Sequence, residues 1–341
     1  MKTGYFDCFS GASGDMILGA LIAAGVPKEA LVAELRRIRG IEWELSADSV
    51  VRSGISAVQV RLSSPDHAHE RSFNEICAIL DDSELSRETL DRAKAIFRVI
   101  AVAEATVHGT TPERIHFHEL GGLDSVLDIV GAVIGLQLLG IEKVYASAMP
   151  LSHGTIRCAH GVLPVPAPAV VEILKDVPFY ATDVEGELIT PTGAGILKAC
   201  AESFGAPPPF SVQSIGYGSG TRDLGTRPNL LRLLVGTATT TALQAQPLTL
   251  LETNIDDMNP ELYDYVMERL FAVGALDVFL TPIHMKKNRP ATLLSVLCDA
   301  GTSGEALQVL LRETTTLGVR SHALERFCRP RTSHTVETEF G

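Results

Sequence analysis

The sequence has few cysteines, and none of them stand in the closely spaced pairs that bind zinc. The six cysteines lie at positions 8, 77, 158, 200, 298 and 328, and no Cys-x-x-Cys occurs. This scatter is typical of reduced thiols in a cytoplasmic protein. It argues against both a zinc site and a disulfide framework.

Long apolar runs and an excess of positive charge are also missing. The longest apolar stretch, residues 129–141, is interrupted by glycine and glutamine, and a membrane-spanning helix needs about 20 apolar residues. Residues 1–7 lack the basic and apolar regions of a signal peptide. A net charge of −12 argues against a general nucleic-acid binder, which would present a basic face. We therefore expect a cytoplasmic protein that binds neither membrane nor nucleic acid.

The length of 341 residues suits two or three domains, and 45% hydrophobic with 21% charged residues is typical of a globular protein. Strand and helix patterns alternate over residues 1–240, which we predict to form a mixed α/β region. The polar stretch 241–247 is a predicted linker. Residues 248–341 give strand, helix, strand, strand, helix and strand, the order of a ferredoxin-like domain. The predicted fold class is therefore α+β.

Two segments rich in glycine or proline are predicted to be loops. Residues 144–168 have the composition of a rigid surface loop. Residues 214–223 read as a glycine-rich loop ahead of a strand at 229–235. Between them, Thr190-Pro-Thr192-Gly193 marks the start of a helix, with Thr192 as the predicted N-cap.

The stretch from His116 to Asp128 places imidazoles and carboxylates inside an apolar run. His116 and His118 would point to the same face of an extended segment, and Asp124 and Asp128 would share one face of a helix. A turn at residues 121–122 would bring the two pairs together. The pattern indicates a divalent-metal or phosphate site. The alternative is structural, with Asp124 capping a helix and Asp128 facing solvent.

A second candidate site is the turn Ser10-Gly11-Ala12-Ser13-Gly14-Asp15, which joins a predicted strand to a predicted helix. Free backbone N–H groups and the positive end of a helix dipole would suit a phosphate. The turn matches neither the P-loop nor the dinucleotide-binding motif. A tight turn in which Ser13 or Asp15 caps the helix is the other interpretation. His67 and His69 repeat the His-x-His spacing, which alone is a weak signal.

The C-terminal region carries an acidic pair and a basic hairpin. Asp256 and Asp257 follow a predicted strand and suit Mg²⁺ or Mn²⁺, although adjacent acids also cap helices. Residues 286–289, Lys-Lys-Asn-Arg, lie between two apolar strands and suit phosphate oxygens, although a solvated loop is equally typical of charge runs. Residues 313–320 add hydroxyls and Arg320. Together these features indicate a metal–nucleoside triphosphate site.

These motifs resemble those of the LarC nickel-insertion proteins along essentially the whole chain. The resemblance rests on residues 6–16, 116–131, 190–193, 215–220, 252–261, 285–290 and 313–320. It implies a lyase-type nickel chelatase that inserts nickel into pyridinium-3,5-bisthiocarboxylic acid mononucleotide. The product is the nickel-pincer nucleotide cofactor of lactate racemase-type enzymes. The resemblance also implies CTP, Mn²⁺ or Mg²⁺, and an oligomeric ferredoxin-like CTP-binding domain.

The resemblance implies roles for individual residues. The divalent metal of the nucleotide site is expected at Asp256 and Asp257. The nucleotide-binding residues are expected to be Lys286, Lys287, Asn288, Arg289, Thr314 and Arg320. The candidate nickel ligands are His67, His69, His116, His118, Asp7 and Asp15. The candidate proton acceptors are Glu119, Asp124 and Asp128. The precursor phosphate is expected at Ser10, Gly11, Ser13 and Gly14.

Two other functional classes fit the same residues. One is a metal-dependent phosphohydrolase or nucleotidyltransferase unrelated to nickel, and the other is a non-enzymatic nickel carrier. Members of the resembling family usually continue past the point that matches Gly341. We therefore expect a truncated C-terminal domain.

Overall fold

A computed structural model describes residues 1–65, 71–117, 122–158, 161–238, 244–299 and 301–328. The chain divides into two compact units, Met1–Thr239 and Thr240–Gly341. Four of the predicted site residues, His67, His69, His118 and Glu119, lie outside the described residues. No helix within the described ranges combines the length and apolar composition needed to cross a bilayer.

The first unit is a mixed α/β structure. Its strands are β1 Lys2–Asp7, β2 Glu44–Arg52, β3 Ile55–Ser63, β4 Arg71–Ser72, β5 His116–Phe117, β6 Lys143–Ala146, β7 Met149–His153, β8 Thr155–Cys158, β9 Gly161–Pro164, β10 Phe179–Glu185, β11 Ala201–Phe204, β12 Phe210–Ser219 and β13 Leu230–Ala238. Its helices are α1 Gly14–Ala23, α2 Lys28–Leu35, α3 Phe73–Asp81, α4 Arg87–His108, α5 Leu123–Leu138, α6 Pro168–Ile173 and α7 Pro191–Cys200. A short 3₁₀ turn covers Pro112–Arg114.

The main sheet has the strand order β11-β6-β1-β13-β12-β3-β2. Strand β1 is parallel to β6 and antiparallel to β13, so the sheet is mixed. The core contains Phe6 from β1, Leu233 from β13, Ile17 and Leu21 from α1, and Val130 from α5, all nearly or fully buried. Helix α5 is apolar around almost its whole circumference because it packs on α1, α2 and α4.

Residues 214–219, predicted to be part of a loop, instead belong to strand β12. The reason is the close approach of helix α1. A Cβ atom on Gly216 would lie 2.0 Å from the carbonyl oxygen of Ala20, and one on Gly218 would lie 1.8 Å from that of Met16. The glycines therefore let a helix backbone rest directly on a strand, and they do not indicate a loop here.

The prediction of a surface loop over 144–168 was also wrong, because strands occupy much of this segment. Strand β7 pairs in parallel with β10, with Met149 opposite Phe179, and β8 and β9 form a hairpin. The partner of β7 comes about 30 residues later in the sequence, at β10. Local composition therefore holds no signal for this pairing.

The second unit contains a four-stranded sheet and two described helices. The elements are β14 Gln244–Ile255, α8 Leu262–Ala272, β15 Asp277–Met285, β16 Arg289–Cys298, α9 Ser303–Glu313 and β17 Arg320–Cys328, with a short turn at Lys286–Asn288. The sheet order is β15-β16-β14-β17, and all neighbours are antiparallel. Its core contains Leu251, Val266, Leu270, Leu294 and Leu310.

The predicted linker 241–247 is only partly comparable with the structure, because residues 241–243 lie outside the described ranges. Residues 244–247 are not a linker but the first part of β14. They pair with residues 325–328 at the end of β17. Their polar sequence did not indicate a strand. The backbone groups form hydrogen bonds with a partner strand about 80 residues away.

The contact between α1 and β12 predicts that Gly218→Ala will destabilise the protein. The new methyl group would meet the Met16 carbonyl, so we expect a loss of about 1–3 kcal/mol in the free energy of unfolding, measured by urea denaturation. The control Gln213→Ala, an exposed position on the same strand, should change stability by less than about 0.5 kcal/mol. Equal stability of the two variants would contradict the prediction.

Candidate functional site

A cavity of about 480 Å³ opens in the first unit where the first turns of α1, α5 and α7 meet. This volume lies within the range of small-molecule sites. The polar residues that carry its chemistry are Ser13 and Asp15 from α1, Asp124, Ser125 and Asp128 from α5, Arg61 from β3, Thr190 and Thr192 at the start of α7, Glu187 and Thr221. Two motifs predicted separately from the sequence, the Ser10–Asp15 turn and the Asp124–Asp128 helix, thus line one cavity.

Asp128 is the most perturbed acid of the cavity. Its Oδ1 atom is buried and has no hydrogen-bond partner among the described residues. Burial raises the pKa of Asp128 well above its usual value, and the negative charges of Asp15 and Asp124 raise it further. A Cβ atom on Gly14 would lie 2.3 Å from Asp128 Oδ2, so the glycine makes room for this carboxylate.

Asp15 and Asp124 complete the acidic group. Burial raises the pKa of Asp15, and hydrogen bonds from the Ser13 hydroxyl and the Met16 backbone N–H partly offset that rise. Asp124 lies in the first turn of α5, whose N-cap is Gly122. Asp124 is not the N-cap, but its Oδ1 accepts the Ser125 N–H at 2.9 Å and so satisfies a free backbone group of the first turn. The structural alternative was wrong for Asp128, whose Oδ1 is shielded from solvent.

The loops that lead into α1 and α7 bind each other through their backbones. The Ala12 N–H donates to the Leu188 carbonyl at 3.0 Å, and the Thr190 N–H donates to the Ala12 carbonyl at 3.0 Å. Gly11 has φ +100°, and a Cβ there would lie 1.9 Å from the Leu188 oxygen. Ser10 is fully buried and, like Gly11, is not among the residues lining the cavity, whereas Ser13 and Gly14 are.

The sequence predicted Thr192 as the N-cap of α7, but the N-cap is Thr190. The Thr190 hydroxyl accepts the Gly193 N–H at 3.2 Å, because Pro191 occupies the first helical position. Thr192 is therefore free of the capping role and lines the cavity.

The segment 220–229 between β12 and β13 forms hydrogen bonds with the loop before α1 and with the loop before α7. Arg222 donates to the carbonyl oxygens of Glu187 at 2.7 Å and Glu185 at 3.3 Å. Arg227 donates to the Phe9 carbonyl at 3.5 Å and to the Asp183 carboxylate at 3.3 Å. One hairpin loop therefore ties together the two segments that position α1 and α7.

Two predicted nickel ligands lie elsewhere in the first unit. Asp7 forms an ion pair with Arg232 across β1 and β13, and neither residue is among those lining the cavity. His116 is exposed on β5, opposite Ser72. Within the described ranges, no three His, Cys, Asp or Glu side chains are grouped so as to hold a metal ion.

The cysteines at positions 8, 77, 200, 298 and 328 are free thiols. Burial raises the pKa of Cys8 to about 12 and that of Cys200 to about 11. Burial also raises the pKa of Cys77 and Cys298. Because the thiolate is the form that binds metals, these four side chains are poor ligands near neutral pH.

The second unit gathers its predicted site residues at one edge of the sheet, where β14 ends, β17 begins and β15 turns into β16. Arg289 Nη1 lies 3.4 Å from Asp256 Oδ2, and the Thr315 hydroxyl donates to Asp257 Oδ1 at 2.5 Å. Arg320 Nη2 donates to the Asn254 side chain at 2.8 Å. The acidic pair and two of the predicted cations thus belong to one cluster.

The turn between β15 and β16 presents the remaining cations. Lys287 and Asn288 have φ values of +61° and +57°, a left-handed conformation that costs free energy for residues other than glycine. Lys286 and Lys287 are exposed, and no ion pair or hydrogen bond of their side chains is found among the described residues. Thr314 donates to the Leu310 carbonyl at 2.6 Å at the end of α9.

Comparison with known proteins identifies the family. The family described as "Nickel insertion protein" matches residues 4–341. The chain belongs to this family.

Relatives match over the whole of this chain. One from Syntrophobacter fumaroxidans is 49% identical over 341 residues, covering 100% of this chain and 87% of its own length. Proteins named "Pyridinium-3,5-bisthiocarboxylic acid mononucleotide nickel insertion protein" are 46% identical in Desulfitobacterium hafniense and 45% identical in Geobacillus kaustophilus. These two alignments cover 100% of this chain and 86% and 87% of the relatives.

Among solved structures, one is described as the C-terminal domain of a cyclometallase involved in the synthesis of the NPN cofactor of lactate racemase, in its apo form. It is 44% identical to this chain over the matched part, with a TM-score of 0.24. The match covers 24% of this chain and 58% of that structure.

Several residues of the cavity carried no usable signal in the sequence. Arg61 stands in a strand of alternating pattern, where a charged residue is ordinarily just solvent-exposed. Thr221 falls inside the segment that was predicted to be a loop, as does Arg222, which holds the residues before α7. Glycines at 216, 218 and 220 marked that segment as unusual. The contact with α1 explains Gly216 and Gly218, whereas a Cβ on Gly220 would meet the Asn229 side chain.

The buried carboxyl group predicts that Asp128→Asn will stabilise the protein at high pH. The folded protein binds the Asp128 proton more tightly than the unfolded chain, whose aspartates have a pKa of about 3.9. Its contribution to stability is therefore greatest at acidic pH and is lost as pH rises through the raised, folded-state pKa.

We expect Asp128→Asn to exceed the wild type in free energy of unfolding at pH 8, by on the order of 1–3 kcal/mol, and by less at pH 5. Urea denaturation at both pH values measures the difference. Asp82→Asn, an exposed position at the end of α3, should show no such pH dependence. A loss of stability in Asp128→Asn at pH 8 would show that the charged form is not disfavoured.

Proposed function

We propose that this protein inserts nickel into pyridinium-3,5-bisthiocarboxylic acid mononucleotide, forming the nickel-pincer nucleotide cofactor of lactate racemase-type enzymes. The observation that carries the proposal is the cavity at the three helix starts, lined by Asp128, whose Oδ1 is buried without a hydrogen-bond partner among the described residues. Full-length relatives at 45–46% identity that bear the corresponding name support it.

Asp128 is the proposed proton acceptor. Nickel is a substrate here, and forming a nickel–carbon bond to the pyridinium ring breaks a ring C–H bond and releases a proton. A carboxylate with a raised pKa is a stronger base than an ordinary one and suits this step. Burial keeps the pKa of Asp128 high, and the negative charges of Asp15 and Asp124 add to that effect. Glu119 remains a candidate for the same role.

The histidines are proposed to deliver nickel. His116 is exposed, so an imidazole at this position can meet a hydrated metal ion before the ion enters the protein. His118, His67 and His69 are proposed as its companions on the basis of the His-x-His spacing. Asp15 lines the cavity and is a proposed oxygen ligand during transfer, whereas Asp7 is already paired with Arg232.

The second unit is proposed to be a ferredoxin-like, CTP-binding domain. The order βαββαβ and the antiparallel sheet order β15-β16-β14-β17 support this assignment. The donor set fits a nucleotide with a divalent metal, because Arg289 pairs with Asp256, and the turn that leads into Arg289 adds the exposed cations Lys286 and Lys287. Asp256 and Asp257 would hold Mn²⁺ or Mg²⁺, which neutralises phosphate charge when bound. The triphosphate would contact Lys286, Lys287, Arg289 and Arg320, with Asn288 and Thr314 nearby in the chain.

We further propose that the protein acts as a homo-oligomer in the cytoplasm and serves an apo lactate racemase-type enzyme. The resemblance of the sequence to the LarC proteins supports these points. The competing class, a nucleotide-processing enzyme without a nickel substrate, would turn over CTP in the absence of the precursor.

The proposed proton acceptor is tested by reconstituting the reaction with precursor, Ni²⁺, CTP and Mn²⁺, and measuring activation of an apo lactate racemase. Removing a general base typically costs 10²- to 10⁴-fold in rate, so we expect Asp128→Asn to lose at least about 100-fold. Asp82→Asn should match the wild type. Full activity of Asp128→Asn would exclude Asp128 as the base, and no activity of the wild type would contradict the proposed function.

The proposed nucleotide site is tested with the double variant Lys286→Gln/Lys287→Gln, which removes both positive charges and keeps polar side chains only one atom shorter. A hydrogen bond to a charged group is worth about 1.5–3 kcal/mol, so we expect the KM for CTP to rise about 10- to 100-fold. Precursor binding should be unchanged. Arg269→Ala, an exposed cation on α8, is the matched control. An unchanged KM for CTP would place the triphosphate elsewhere.

A further inference from the structure

We infer that Arg61 binds the phosphate group of the mononucleotide substrate and thereby sets the direction in which the substrate lies in the cavity. This inference rests on the proposed function and extends it to a specific residue. Among the described residues that line the cavity, Arg61 carries the only positive charge. Four acids, Asp15, Asp124, Asp128 and Glu187, line the same space.

The guanidinium group of Arg61 is held in place by its neighbours. Its Nη1 donates to Asp48 Oδ2 at 3.0 Å, and its Nη2 donates to Gln59 Oε1 at 2.7 Å. Gln59 is only 2% exposed, and its Nε2 donates to the Gly220 carbonyl at 3.3 Å. A buried amide therefore fixes the arginine to the segment whose next residue, Thr221, lines the cavity. Such support is what a preorganised binding residue requires.

Arg61 keeps the capacity to bind an anion. A guanidinium has five N–H donors, and the two recorded hydrogen bonds leave three. The Asp48 partner is about half exposed, so this ion pair is worth little and a phosphate can compete with it. Arginine also matches phosphate oxygens with two parallel hydrogen bonds, which lysine cannot do.

The distribution of charge in the cavity gives the substrate a direction. The positive charge comes from strand β3. Thr221, which also lines the cavity, follows Gly220, whose carbonyl accepts the Gln59 amide. The carboxylates of Asp15, Asp124 and Asp128 come from helices α1 and α5 and would repel a phosphate dianion. The phosphate is therefore bound on the β3 side, which leaves the pyridinium ring for the acidic side, where its proton is accepted.

This position differs from the phosphate site predicted from the sequence. The turn at residues 10–14 was expected to cradle the phosphate, but Ser10 is fully buried. The space beside Gly11 is filled by the Leu188 carbonyl. Only Ser13 and Gly14 of that turn reach the cavity, next to two of the acids.

The test compares two ligands that differ only in the phosphate group: the precursor mononucleotide and the nucleoside made from it by phosphatase. Affinities of the full-length protein for both are measured by calorimetry. The wild type is expected to prefer the mononucleotide. Arg61→Ala should weaken mononucleotide binding about 10- to 100-fold and leave nucleoside binding unchanged. Arg61→Lys should recover part of the loss.

Arg52→Ala is the matched control, because Arg52 lies on the neighbouring strand β2 and donates to the Ser219 hydroxyl at 3.2 Å without lining the cavity. It should bind both ligands as the wild type does. Equal weakening of both ligands by Arg61→Ala, or of neither, would overturn the inference while leaving the proposed function in place. If the wild type bound neither ligand, the proposed function itself would fail, and the inference with it.

Discussion

The site in the first unit depends on one backbone contact, in which the loop before α1 and the loop before α7 exchange hydrogen bonds through Ala12. The backbones of the two loops approach each other so closely that there is no room for a side chain at Gly11. The first turns of α1 and α7 therefore line the same cavity, and α5 lines its third side. Arg222 and Arg227 secure the arrangement from the hairpin at 220–229.

In this cavity the acidic side chains lie close together, and among the described residues few positive charges lie near them. Helix starts favour carboxylates, which lowers the cost of placing Asp15 and Asp124 there. Asp128 lies one turn further into α5, has no partner at Oδ1, and is the acid whose pKa rises most clearly. Folding alone gives no reason to bury such a group, since an amide or an apolar residue would serve stability better. This chain therefore keeps Asp128, the proton acceptor proposed above, in a position that weakens the fold.

Patterns within about 20 residues were sufficient to predict many elements of this structure. The strand–turn–helix around residues 10–15 and the alternation of strands and helices after residue 247 follow from hydrophobic periodicity. Sequence reasoning failed where the deciding partner was distant, as for β7 with β10 and for Gly216 and Gly218 beneath α1. It found the acids of the cavity because they stand in unusual spacing. It missed Arg61, since a buried glutamine that fixes an arginine leaves no local pattern.

The protonated state of the buried cysteines affects how the protein binds and releases nickel. Nickel bound by a thiolate pair would be released slowly, and a protein that transfers this ion cannot retain it. With the pKa of Cys8 at about 12, the thiol nearest in sequence to the α1 turn stays protonated and offers no competing soft ligand. The ligands proposed above for the ion are imidazole nitrogens and carboxylate oxygens, which exchange readily. Nickel then passes from protein ligands that bind it weakly to a sulfur-bearing substrate that binds it more strongly.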